Sequence, residues 1–170
     1  MLNSGVFMVK IEQNSNIRNR KLIFSLNYLY SGLHGQIKCL LQFVNHYFKL
    51  KKLNQDENAR AILRFIAVKI NQIIAIKDLV EELGGEIEIL SYISNTYQYH
   101  ADIRIVNNED ALFLEQISSE IMFVKECEKI LSKFNCDKVK EFLTSFINQS
   151  EKTIEEINGL KKKKIAFYLV

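Results

Sequence analysis

Six residues of types that can do chemistry interrupt otherwise apolar helical stripes: Gln36, Lys69, Gln72, Glu120, Ser150 and Thr153. One is a carboxylate, one an ammonium, two are amides and two are hydroxyls. In the stretch ILRFIAVKINQIIAIKDLVEEL (62–83), alternating steps of four and three residues run through Ile62, Phe65, Lys69, Gln72, Ile76, Leu79 and Leu83, the positions that face partner helices in a bundle. Lys69 and Gln72 therefore point inward. Two such groups in a packed core cost on the order of several kcal/mol unless partners satisfy them, so the other elements must supply partners. The simplest chemistry is an internal ion pair between Lys69 and Glu120, with amides and hydroxyls completing the hydrogen bonds.

The elements that position these groups follow from the same periodicity. A first helix over about 21–50 carries the seam Leu22, Leu26, Leu29, Leu33, Gln36, Leu40, Phe43 and Tyr47. A polar turn follows, in which Asn54 or Asp56 can cap a second helix over about 56–84 that stops at Gly84-Gly85. Residues 86–108 lack a clean helical period and read as a long crossover, with room for an extended segment. A third helix, about 109–134, starts near Asn108 and carries Phe113, Ile117, Glu120, Val124, Cys127, Leu131 and Phe134. A fourth, about 137–161, carries Val139, Leu143, Phe146, Ser150, Thr153, Ile157 and Leu160. Residues 1–20 read as a loose N-terminal arm, and 161–170 as a C-terminal tail that extends the fourth helix or docks elsewhere, its lysines suiting a solvated helix end. The fold class expected is all-α, two antiparallel helix pairs joined by the crossover, with each seam interrupted near its middle.

Composition supports one domain. No proline and six glycines permit long helices and disfavour an all-β fold rich in tight turns. The net charge of +3 is spread along the chain apart from Lys161 to Lys164, so no nucleic-acid partner is expected. Cys39, Cys127 and Cys136 form no metal-binding spacing, which suggests a reduced, cytoplasmic protein; no apolar run reaches a membrane-spanning length.

Several segments resemble the ferritin-like superfamily, in its bacterioferritin, rubrerythrin and manganese-catalase-like branch. GQIKCLLQFVNH (35–46) resembles that family's first-helix segment, which begins with a ligand Glu, and IAVKINQIIAIKDLVEELGG (66–85) resembles its Glu-x-x-His helix ending in Gly-Gly. SSEIMFVKECEKI (118–130) is similar to the third-helix run, and VKEFLTSFINQSEKTIEEI (139–157) to the second Glu-x-x-His helix. In such bundles two helices give one Glu each and two give Glu-x-x-His, together holding two metal ions. The resemblance implies that Gln36, Lys69, Gln72, Glu120, Ser150 and Thr153 are former ligand positions, of which only Glu120 keeps its family identity. Ile70 stands where a bacterioferritin has its haem-ligating Met.

The resemblance implies a ferritin-like four-helix bundle that has lost its di-metal centre. Such a chain would be a non-catalytic structural or interaction protein without a cofactor, a homodimer or the partner of a ferritin-like paralogue. The alternative is a working di-iron or di-manganese oxidoreductase, for iron oxidation and storage or peroxide detoxification, using acids elsewhere such as Asp78, Glu115 or Glu151. A metal-free tyrosine redox site of the ribonucleotide-reductase kind ranks below both. His34, His46 and His100 match no metal motif, and no cysteine or serine has a recognisable base partner.

Overall fold

A computed structural model describes residues 4–49, 57–90 and 109–168, with side chains over 16–45, 57–90 and 112–160. Among the described residues the fold is all-α: α1 Ser4–Lys49, α2 Glu57–Glu82, α3 Glu109–Lys133 and α4 Asp137–Tyr168. α1 packs mainly on α2 and α3 mainly on α4, while α1 also borders α3 and α2 borders α4.

Which residues share a core fixes the helix directions. One apolar cluster joins Cys39 to Val44 of α1 with Ala59 to Ile66 of α2, Leu112 and Phe113 of α3, and Ile157 and Leu160 of α4. The other joins Leu22 to Leu33, Ile76 to Val80, Phe123 to Phe134 and Val139 to Phe146. The C-terminal half of α1 thus meets the start of α2, the start of α3 and the end of α4. α1 and α2 run antiparallel, as do α3 and α4, and the chain must travel the length of the bundle between α2 and α3.

The stop after α2 has a clear local cause. Gly84 takes φ +76°, which costs a residue with a Cβ but not glycine. The Gly85 N–H then donates to Val80 O at 3.0 Å and the Gly84 N–H to Glu81 O at 3.0 Å, which satisfies carbonyls the helix end leaves open. Gly85 is needed for a different reason: a Cβ there would lie 2.8 Å from Ile23 Cδ1 on α1.

Residues Glu86 to Leu90 then climb along α1, held by its side chains. Asn27 Nδ2 donates to Glu86 O at 3.0 Å and its Oδ1 accepts from Glu88 N–H at 3.2 Å. Ser31 Oγ accepts from Leu90 N–H at 2.8 Å while donating to Asn27 O. These bonds explain two buried polar residues on α1 that the seam does not include.

The helices differ from the expected ones in three places. Helix begins at Ser4, inside the stretch 1–20 expected to be a loose arm, so helix continues where no sustained apolar stripe marks it. At about 1.5 Å per residue, the 46 residues of α1 span roughly 70 Å against roughly 39 Å for the 26 of α2. At the other end, α4 runs on through Lys161 to Lys164 as far as Tyr168. In α3 the buried line is Phe113, Gln116, Glu120, Phe123, Cys127, Ile130 and Phe134, whereas Ile117, Val124 and Leu131 are half-buried. That helix has apolar residues on both sides of its seam, and only the neighbours decide which side goes in. The side chains of His46 and Tyr47, the capping candidates Asn54 and Asp56, Asn108, and the crossover from 91 to 108 with Tyr92, Tyr97, Tyr99 and His100 lie outside the described residues.

Candidate functional site

Each helix changes from one apolar cluster to the other across a short polar interval. In α1 the interval contains Gln36, between Leu33 and Cys39; in α2 it contains Lys69 and Gln72, between Ile66 and Ile76. In α3 it contains Gln116, Ser119 and Glu120, and in α4 Ser150 and Thr153. All of these side chains are buried. They form one layer across the middle of the bundle.

Contacts between helices establish the level independently. Ile23 against Gly85 sets the α1–α2 register, and thirteen residues inward from each lie Gln36 and Gln72. The surface pairs Arg64–Glu156 and Lys138–Glu82 set the α2–α4 register on either side of the layer. Between them Gln72 Nε2 donates to Gln149 Oε1 at 3.2 Å.

At the centre Lys69 Nζ donates to Glu120 Oε1 at 2.5 Å, with the two side chains only 1% and 3% exposed. Gln116 Nε2 donates to the same oxygen at 2.6 Å. A carboxylate surrounded by apolar clusters loses its hydration, and an ammonium and an amide here replace it. Thr153 Oγ1 is satisfied locally by Gln149 O at 3.1 Å, the i−4 bond open to a helical threonine. Gln36 Oε1, Gln72 Oε1 and Ser150 Oγ have no hydrogen-bond partner within the described protein. No protein-family model, curated protein or solved structure matches this chain. What the layer can do is therefore read from its own atoms.

The donor set does not suit a redox metal pair. Two iron or manganese ions need several anionic oxygens and neutral imidazoles to offset their charge and replace their water. The layer offers one carboxylate, already engaged by Lys69 and Gln116, and its remaining groups are neutral amides and hydroxyls beside a cation. The acids that could have served instead lie elsewhere: Asp78 and Glu151 are exposed and Glu115 is half-buried. Among the described residues no three of His, Cys, Asp and Glu converge.

All six residues singled out from the sequence lie in the layer, and two members were missed. Gln116 carries the second bond to Glu120, and Ser119 is buried beside it in sequence. The signal for Gln116 was its position four residues before Glu120, on the same face of α3. His34 is half-buried and off the buried seam of α1, its pKa lowered by burial and by the nearby Lys38. Burial pushes the Cys127 thiol up to about 12, assisted by Glu126, Glu120 and Glu128, so it is a poor nucleophile.

Proposed function

We propose that this chain is a ferritin-like bundle in which the Lys69–Glu120 ion pair stands in for a di-metal carboxylate centre, and that it works as a non-catalytic structural or interaction protein. The observation that carries this reading is the ammonium of Lys69 bonded to the one surviving family carboxylate, at the level where all four seams are interrupted. A cation placed there neutralises Glu120 and ties α2 to α3 across the bundle. The antiparallel pairs and the lengthwise run from α2 to α3 agree with the ferritin-like connectivity.

An outer face suits association. Leu63, Ile70 and Ile74 repeat along α2 on one side and are 41%, 43% and 51% exposed. Ile66, one turn from them, is already buried in the core, so this stripe is apolar surface the bundle leaves uncovered. We assign it to a homodimer or a ferritin-like paralogue. The setting is a reducing, cytoplasmic one, in keeping with three cysteines that form no disulfide. No described helix is long and apolar enough to cross a membrane.

Metal analysis of protein produced with added iron and manganese tests the central claim. Metal well below one ion per chain, unchanged in Glu120→Ala, is expected. One or two tightly bound ions per chain, lost in that variant, would restore the working di-metal oxidoreductase.

A further inference from the structure

We propose that the groove between the N-terminal part of α1 and the C-terminal half of α3 binds a free single-chain anionic amphiphile, of which a long-chain carboxylate is the simplest. The groove has a volume of about 560 Å³, within the range of small-ligand sites. Its exposed apolar wall is Phe24, with the buried Ile130 and Phe134 behind it and the half-buried Tyr28 at one end. Phe24 is 57% exposed, an aromatic ring turned toward a concavity and left uncovered.

The charges are arranged along the groove unevenly. Arg20, Lys21 and Lys133 line one end, and an adjoining hollow of about 400 Å³ shares Lys21 and Lys133 and adds Arg18. None of these four cations has a carboxylate within ion-pair distance among the described residues. The single acid of the groove, Glu126, is already bonded to Lys129 at 3.2 Å. Four like charges gathered without a counterion repel one another, and an anion placed among them removes that repulsion.

The polarity runs from cationic to apolar, which is the pattern of a head and a tail. An acidic helix from a protein partner would need cations along its whole length, and here they crowd at one end. A carboxylate between Lys21 and Lys133 with its chain laid over Phe24 toward Ile130 and Tyr28 uses both halves of the groove. The site lies outside the polar layer, so its failure would leave the reading of Lys69 and Glu120 untouched.

Calorimetric titration of the intact chain with sodium dodecanoate below its micelle concentration tests the proposal. Saturable binding of one dodecanoate per chain is expected, weakened at least tenfold in Lys21→Glu/Lys133→Glu and in Phe24→Asp, and weakened by salt in the wild type. Lys21, Lys133 and Phe24 are exposed, and melting curves establish that the variants fold. The proposal is overturned by absent or non-saturating binding, by equal affinity for neutral dodecyl maltoside, or by charge variants that bind as the wild type does. Binding to anionic phospholipid vesicles without uptake of free dodecanoate would equally overturn it in favour of a membrane surface.

Discussion

Replacing Lys69 by methionine keeps most of the length of the side chain and deletes its charge. Glu120 would then hold a carboxylate in a nearly solvent-free layer with only the Gln116 amide bonded to it. Stranding one member of a buried pair costs about 3–5 kcal/mol, a large part of the roughly 5–15 kcal/mol that holds a domain folded. For a chain of 170 residues each kcal/mol moves the melting temperature by about 2–4 °C, so a fall on the order of 10 °C is expected. Lys69→Met/Glu120→Leu removes both charges and should recover much of that loss. The recovery is incomplete because the Gln116 N–H₂ then lacks its acceptor, at about 1–3 kcal/mol, and adding Gln116→Leu should close most of the gap. Thermal and urea unfolding followed by circular dichroism on the single, double and triple variants gives the coupling energy. It should exceed about 2 kcal/mol and change little between low and high salt, because screening acts weakly on a dry pair. Mild single effects that simply add in the double variant would refute the claim that this pair organises the layer.

Other consequences follow from single features of the fold. Ile70→Lys/Ile74→Lys, on the exposed stripe of α2, should shift the protein to monomer in sedimentation while leaving its helical content unchanged; a wild type already monomeric at tens of micromolar refutes the assigned interface. Gly85→Ala should destabilise by about 1–3 kcal/mol through overpacking against Ile23, and Ile23→Ala should relieve much of it, which unfolding of the two singles and the double measures. Because burial lifts the Cys127 thiol from 9.0 to about 12, the folded chain keeps a proton that the unfolded chain sheds. That contribution to stability is complete below about pH 9 and declines as pH rises toward 12, by up to about 1.4 kcal/mol per pH unit. Cys127→Ala should flatten the slope of unfolding free energy between pH 9 and 11; equal slopes would remove the thiol from the account. His34 carries the opposite sign: its lowered pKa makes its contribution present above about pH 6.5 and lost as pH falls, a trend that His34→Gln should abolish in acid melts.

Much of the candidate site was legible in the chain because helical periodicity is a local property. Gln36, Lys69, Gln72, Ser150 and Thr153 fall on the stripes that the alternating three- and four-residue spacing marks as inward, and all are buried. α3 was legible only in part, since Leu112, Phe113, Ile117, Phe123, Val124, Ile130 and Leu131 admit two neighbouring phases, and the phase chosen decides whether Gln116 points in. The N-terminal stretch misled for a related reason. Its sequence has no sustained stripe, yet nothing in it terminates a helix, and α1 continues through it from Ser4. Asn27 and Ser31 escaped altogether, because their partners are backbone atoms of Glu86, Glu88 and Leu90, more than fifty residues away.

The amino-acid order alone determined that there are four helices, the stop at Gly84-Gly85 and the presence of one polar interval per seam, since each depends on residues within a few turns; it did not determine how far α1 and α4 extend. Only the tertiary structure decided that the interruptions share a level, that the Lys69 ammonium lies against Glu120 rather than reaching solvent, and which face of α3 is buried. Those outcomes rest on the register between helices, and register is set by distant contacts such as Ile23 on Gly85 and Arg64 with Glu156, which no local pattern specifies.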